Sequence, residues 1–353
     1  MGLFDRYLAR SILAATSLVL LVIIFLDAFF GFIGETKYVS RYASYEYAHA
    51  LAYVIMRIPG KVIEFLPTIT LIGSLLGLGA LASNSELTAL RAAGMSRGRI
   101  IWGGMKTGLL IGLFMLSIGE FVSPKSEVHA ENFRAQHQGK KVSTELRNFW
   151  SRNGDDFIHI EQAKPDFKLA GVTIFNTAQQ QLLSKQTAKE AQLVNNKWQL
   201  SVVSEKRYQE MEVQTLVDHK RQRSHIIDAD LFEVASVKPR NMPLSALNDY
   251  VEYLDANALE SSAYRKAFWK KITGPLSILV MMLIAMPFVF GNRRTGNAGA
   301  RLVLGIMFGM AYYIASEMLS NLGQVYNVPV LLSAFTPLLV FTVLGFVLLQ
   351  RSE

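Results

Sequence analysis

The sequence predicts a membrane α-helical protein of six transmembrane helices with an inserted all-β domain. Apolar residues make up 51% of the chain and charged residues only 18%, a balance too apolar for a typical soluble protein. Six apolar stretches approach or exceed the roughly 20 residues that cross a membrane as a helix. Between the third and fourth stretches, a long polar segment alternates apolar and polar residues at a period of two, which is typical of β-strands.

The six apolar stretches form two groups of three. The first follows Arg6 and Arg10 and lacks a small-residue cleavage site, so it predicts an uncleaved membrane anchor. In the second, Lys61 and Glu64 lie one turn apart, where they can pair or reach the interface. The stretches cover residues 11–33, 58–82, 100–122, 269–290, 300–322 and 329–349.

These patterns divide the chain into three parts. Residues 1–122 carry the first three spans, 123–268 form the inserted domain, and 269–353 carry the last three spans. The alternation in the middle part predicts six to ten short strands in a jellyroll-like or sandwich domain. Helical spacing returns near 243–260, so we expect a helical elbow within about 243–268 before the fourth span. The clearest strand segments are 157–161, 172–175 and 198–203.

Basic residues in the short loops predict that both termini are cytoplasmic and that the β-domain is extracytoplasmic. The opposite short loop, 323–328, holds no lysine or arginine. A second basic group would lie outside and would suit an anionic cargo: Lys37, Arg41, Arg57, Arg265, Lys266, Lys270 and Lys271. The arginines of the inner segments are Arg6, Arg10, Arg91, Arg97, Arg99, Arg293, Arg294, Arg301 and Arg351.

The sequence lacks the residue patterns that several kinds of chemistry require. The chain has no cysteine, and its six histidines show no metal-binding spacing. Gly98 and Gly103 have the separation of a phosphate-binding loop, but Gly104 and Met105 follow where Lys and Ser or Thr are required. The net charge of +8 is better explained by anionic lipids and cytoplasmic loops than by nucleic acid, because basic and aromatic residues do not interleave.

Small residues in the second span have a structural explanation. Gly77, Gly79 and Ala82 resemble part of a dinucleotide-binding fingerprint, but they lie inside a predicted membrane helix. Small residues in such helices let two helix backbones approach closely. We therefore predict close helix packing at these positions.

The predicted cytoplasmic segment 82–98 contains a short amphipathic helix at about 84–97. Glu86 favours the positive end of that helix, and Gly94 can close it. The segment is either a solvated connector or a coupling helix that docks in a groove of a separate ATPase. In the second case, Glu86 and Arg91 are polar contacts, and Leu87 and Leu90 are apolar anchors.

The sequence resembles the LptF/LptG permease family of the lipopolysaccharide-export ABC transporter, and within it looks closer to the LptG type. The similarity follows nearly the whole chain in order, and the β-domain matches by architecture more than by motif. The matching segments are DRYLAR (5–10), LPTITLIGSLLGLGALA (66–82), SELTALRAAGMS (85–96), GEFVSP (119–124), NFRAQ (132–136) and FGNRR (290–294).

The resemblance implies a permease subunit with no catalytic residues and no cofactor of its own. It would pair with an LptF-like paralogue and a cytoplasmic LptB-like ATPase dimer that uses ATP. The assembly would extract lipopolysaccharide from the inner membrane and pass it to a periplasmic β-jellyroll bridge, with LptC-like and LptA-like partners.

Individual site residues also follow from the resemblance. Glu86 matches the family's acidic contact to the ATPase. Lys37 and Arg134 match basic positions that face the phosphates of lipid A, and Arg41 lies close to Lys37 in the chain. The sequence departs from the family at Gly31, where a lysine is common, and at Asp27, an unexpected acid in the first span.

Two other classes of function stay open. A mechanotransmission or scaffold subunit would also bind an ATPase, but it would need stiff helices rather than a cavity with a basic rim. A membrane-bound enzyme would need polar groups that converge at one depth. The membrane acids Asp27, Glu64, Glu120 and Glu317 each fall nearer the end of a span than its middle.

Overall fold

A computed structural model gives the fold of the chain. It describes residues 2–139, 146–164, 168–178, 181–194, 197–209, 212–223, 239–257, 259–290, 298–326 and 328–351. The chain forms two compact units. The first, called here the membrane unit, joins Met1–Ala130 to Arg265–Glu353, and the second, called here the sheet unit, is Glu131–Tyr264.

The elements follow one another along the chain in three blocks. The first block is α1 (Leu3–Val39), α2 (Tyr47–Met56), α3 (Ile58–Ser83), α4 (Glu86–Ala92), α5 (Arg97–Ser117), a π-helical turn (Ile118–Val122) and α6 (Ser123–His137). The second is β1 (Leu146–Asn153), β2 (Asp156–Lys164), β3 (Lys168–Ala178), β4 (Gln181–Val194), β5 (Lys197–Gln209) and β6 (Glu212–Arg223). The third is a 3₁₀ turn (Pro239–Asn241), α7 (Leu244–Ala256), α8 (Ser262–Phe290), α9 (Ala298–Val325) and α10 (Val330–Arg351).

The six predicted membrane helices are confirmed. The described chain holds six helices that are long and apolar enough to span a bilayer: α1, α3, the continuous helix from α5 to α6, α8, α9 and α10. Several extend beyond the predicted apolar stretch, as α1 does over Leu3–Val39 against a predicted 11–33. Hydropathy identifies only the part of a helix that crosses the hydrocarbon layer. The backbone hydrogen bonds can continue the same helix into polar sequence on either side. The predicted arginines at 293 and 294 lie outside the described residues.

Small residues bring α3 close to its neighbours. At Gly73, an added Cβ would lie 2.5 Å from the Cα of Thr16 on α1, and at Gly77 it would lie 2.8 Å from the carbonyl oxygen of Ser11. The Ser11 hydroxyl also donates to the Gly77 carbonyl at 3.1 Å. The predicted close packing of small residues in this span is therefore confirmed. We call this line of contact the glycine seam between α1 and α3.

The sheet unit is an antiparallel meander. Its six described strands pair in the order β1-β2-β3-β4-β5-β6, and the predicted strand segments all lie in these strands. One face of the sheet is an apolar core formed by Ile158, Ile160, Leu169, Val172, Ile174, Ala188, Ala191, Trp198, Leu200 and Val203. The prediction of an inserted all-β domain is thus confirmed.

A helix follows the sheet, as the sequence predicts near 243–260. In the structure, α7 starts after Pro243 and buries Leu247, Tyr250 and Leu254 along one side. The hydroxyls of Tyr253 on this helix and Ser151 on β1 lie 2.9 Å apart. This contact ties α7 to the first strand of the same unit.

Candidate functional site

The predicted coupling segment forms a seven-residue helix, α4, which is shorter than the expected 84–97. Gly94 ends it with a φ of +90°, a conformation that glycine adopts without strain. The amide of Gly94 donates to the carbonyl of Arg91 at 3.0 Å, and the amide of Met95 donates to the carbonyl of Leu90 at 3.1 Å. These two bonds form a Schellman motif. Gly94 therefore closes the helix, as predicted from the sequence.

The apolar side of α4 faces its own unit. Leu87 is 4% exposed and packs with Leu8, Leu78, Ile100 and other buried residues from α1, α3, α5 and α8, with Leu90 partly buried beside them. Leu87 thus fastens α4 to the membrane unit, which departs from its expected role as an anchor in a partner's groove. Arg91 remains exposed on the surface of α4.

Glu86, at the start of α4, is held by a residue from the first helix. The hydroxyl of Tyr7 donates to Glu86 Oε2 at 2.5 Å, and Asn84 Nδ2 lies 3.4 Å from Oε1. Tyr7 and Glu86 are 79 positions apart in the chain. The hydrogen bond orients the carboxylate at the surface where a cytoplasmic partner is expected.

A buried carboxylate lies beside this contact. Asp5 is 1% exposed, with Lys106 Nζ at 2.9 Å and Arg99 Nη2 at 3.6 Å. A buried charge needs such partners, since its desolvation is costly. The ion pairs of Asp5 with Lys106 and Arg99 tie the start of α1 to α5. Sequence reasoning missed Asp5 and Tyr7, although both belong to the quoted segment 5–10, because nothing in sequence order indicates their partners.

The predicted basic rim residues lie in both units. Lys37 is exposed in the last turn of α1, with its Nζ 5.1 Å from the centroid of the Tyr38 ring. Arg41 is exposed in the turn that follows. Arg134 is half-buried in the last turn of α6, within the sheet unit. Each unit thus presents at least one of the three cations, and their joint action stays a prediction.

Charged groups meet inside the membrane unit where α1, α2 and α3 pack together. Lys61 Nζ lies 2.9 Å from Glu64 Oε2 and 3.8 Å from Asp27 Oδ1, so of the two alternatives left open by the sequence, the pairing of Lys61 with Glu64 is the one observed. Asp27 and Lys61 also line a cavity of about 230 Å³ together with Glu35 and Arg57. We call this the α1–α3 cavity.

The other membrane acids serve as ion-pair partners. Lys270 donates to Glu317, which joins α8 to α9. Lys271 lies 3.4 Å from Glu120 and donates to the carbonyl of Gly119 at 3.0 Å, in the π-helical turn. Lys270 and Lys271, two of the basic residues predicted to lie outside, are thus paired with acids within the membrane unit. Across the described residues, no three metal-ligating side chains come together.

The buried face of the sheet becomes charged at one end. Glu205 on β5 is 5% exposed and accepts hydrogen bonds from Arg207 at 3.0 Å and from Arg221 at 2.6 Å. Burial alone raises a carboxyl pKa, but the two guanidinium groups outweigh it and lower the pKa of Glu205. The Glu205 carboxylate therefore stays ionised, and its bond to Arg221 links β5 to β6.

Six membrane-spanning helices, an inserted β-sheet and a surface helix fastened to the core define a polytopic membrane protein with an inserted β-domain. The family model "Lipopolysaccharide export system permease LptF/LptG" matches residues 6–351. The chain belongs to this family.

Relatives of known name match over the full length. The "Lipopolysaccharide export system permease protein LptG" of Escherichia coli K12 is 32% identical over 362 residues, covering 100% of this chain and 99% of the relative. The protein of the same name from Haemophilus influenzae is 32% identical over 353 residues, covering 99% and 98%. The resemblance found in the sequence is thus confirmed.

Proposed function

We propose that the protein is a permease subunit of an ABC transporter that exports lipopolysaccharide, with no catalytic residues of its own. The full-length match to permeases of that name carries this proposal. The apolar face of the sheet suits it, because acyl chains that leave a membrane need apolar surface to shield them from water. A scaffold that only transmits force would have no need to offer such a surface to a lipid.

The proposal includes a location and a set of partners. The protein lies in the bacterial inner membrane with both termini cytoplasmic and the sheet unit periplasmic, as the inner arginines favour. Its partners are an LptF-like paralogue, an LptB-like ATPase dimer that uses ATP, an LptC-like single-span protein and an LptA-like bridge. No cofactor binds to this chain directly.

The site residues have two roles in this proposal. Glu86, oriented by Tyr7, meets the ATPase together with Arg91, on a helix that Leu87, Leu90 and Gly94 hold in place. Lys37, Arg41 and Arg134 meet the phosphates of the lipid. A surface contact between opposite charges raises the encounter rate and fixes the register of the partners.

A photoreactive residue in the sheet tests this function. Leu200 is buried on the apolar face, and its neighbour Gln199 points to the other face by strand alternation. In cells with the complete transporter, a photoreactive residue at Leu200 should capture lipopolysaccharide in an ATP-dependent way. The same residue at Gln199 is the matched control and should capture much less. Capture at neither position, with normal expression, would favour the force-transmitting alternative.

A further inference from the structure

The α1–α3 cavity has a charged wall within a membrane-spanning unit. Asp27 and Glu35 on α1 line it on one side, and Arg57 and Lys61 line it at the start of α3. Its volume of about 230 Å³ corresponds to about eight water-sized groups of roughly 30 Å³ each. That is the size of a polar head group and not of a whole lipid.

Both cations of this wall also have acidic partners outside it. Arg57 Nε donates to Glu127 at 3.1 Å, and Lys61 lies 2.9 Å from Glu64. Each cation thus has a carboxylate partner that does not itself line the cavity. The wall itself carries two carboxylates, Asp27 and Glu35, and two cations, a charge pattern that complements a zwitterionic head group.

Asp27 is the more accessible of the two lining acids. Its side chain is 29% exposed, and Lys61 approaches it only to 3.8 Å. Glu35, in contrast, is 8% exposed and accepts a hydrogen bond from Tyr45 at 3.3 Å. Because the two residues are eight positions apart on α1, they are separated by about 12 Å along the helix axis. Asp27 therefore presents the more accessible carboxylate of the cavity.

A carboxylate in low-dielectric surroundings attracts a cation strongly. A divalent metal does not fit, since the described residues bring no three metal ligands together. A primary ammonium fits better, because it is compact and donates three hydrogen bonds. The neighbouring cations Arg57 and Lys61 would suit an anionic group attached to that ammonium.

We propose that the α1–α3 cavity binds a primary ammonium carried beside a phosphate on a membrane lipid, with Asp27 as its acceptor. This inference rests on the proposed function for its setting, because it places the site at the lipid-handling side of a permease. Two lipids offer this chemistry. One is an ethanolamine phospholipid, and the other is lipopolysaccharide whose phosphates carry amine groups.

Gly31 provides a way to block the cavity without changing its charge. Gly31 lines it, and an added Cβ there would lie 3.8 Å from Val54 Cγ1, an ordinary contact. A leucine at this position would extend beyond that Cβ into the cavity. Gly31→Leu and Asp27→Asn therefore remove the site by two independent means.

Native mass spectrometry of the full-length chain tests the proposal. The chain is released from nanodiscs that hold equal amounts of phosphatidylethanolamine and phosphatidylcholine, whose methylated ammonium cannot donate hydrogen bonds. In a second arm, it is offered lipopolysaccharide with and without amine groups on its phosphates. We expect about a tenfold preference for the primary ammonium in at least one arm, equal to about 1.4 kcal/mol. The arm that shows the preference identifies the source.

Asp27→Asn and Gly31→Leu should each reduce the preference to about twofold or less, which is roughly 0.4 kcal/mol. Glu317→Gln is the matched control, since it removes a membrane carboxylate that does not line the cavity. Equal retention of both members of each lipid pair would overturn the proposal. A preference that survives both cavity variants would also overturn it. Failure to bind either lipopolysaccharide would instead count against the proposed function.

Discussion

The glycine seam between α1 and α3 makes a direct prediction for Gly73→Ala. The new Cβ would lie 2.5 Å from the Cα of Thr16, whereas ordinary contact begins at 3.4 Å. The two helices must therefore separate by about 0.9 Å, the difference between these distances. Overpacking costs about 1 to 3 kcal/mol, and the upper part of that range applies because the opposing atoms are backbone.

Thermal unfolding of the purified full-length chain measures this cost. At about 3 °C per kcal/mol, a loss of about 2 to 3 kcal/mol lowers the midpoint by about 6 to 9 °C. Gly34→Ala, on the partner helix α1, is the control, because no atom lies within 4 Å of the Cβ position at Gly34. Adding Thr16→Ala should not restore stability, since the clash with the backbone remains. A midpoint for Gly73→Ala equal to that of Gly34→Ala would refute a tight seam.

Three further predictions concern charged side chains. Glu86→Lys should reduce co-purification of the ATPase by at least about tenfold, because charge reversal at a docked interface costs several kcal/mol; unchanged co-purification would make α4 a solvated connector. Changing Lys37 and Arg134 together to Glu should lower lipopolysaccharide-stimulated ATPase activity in an assembled complex; a parental export rate would identify them as anchors. The lowered pKa of Glu205 means that its stabilisation is complete above the ordinary glutamate pKa of about 4.3 and disappears as pH falls through its folded pKa. Glu205→Gln should cost about 1 to 2 kcal/mol at neutral pH and flatten this acid dependence of unfolding, and an unchanged acid profile would contradict the assignment.

The spans and strands could be predicted from the sequence because each has one dominant cause. Lipid demands about 20 apolar residues per span, and a half-buried sheet demands a period of two. The helix α2 was not predicted, since ten residues are too few to cross a membrane. The irregular backbone of Val202, with a φ of 52°, was also not predicted, because it interrupts a strand whose apolar pattern is otherwise regular.

The candidate sites were harder to predict than the elements. Gly94 was recognised because a helix end has a local signal. The partners of Glu86 and Asp5 were not, since Tyr7 and Lys106 come from distant parts of the chain. The direction of Leu87 likewise depends on which helices surround α4, and amphipathic spacing alone cannot distinguish its own core from a partner's groove.

The core around Leu87 also sets an order of events during synthesis. Leu87 packs in one cluster with Met282 and Met286 of α8, which the ribosome reaches about 200 residues later. Until α8 is made, α4 lacks part of the surface that holds it. The nascent chain therefore presents a fully supported α4 only after the sheet unit has been made and the fourth span has entered the bilayer. Under the proposed function, a cytoplasmic partner would meet a fully supported α4 only after Met286 has been made.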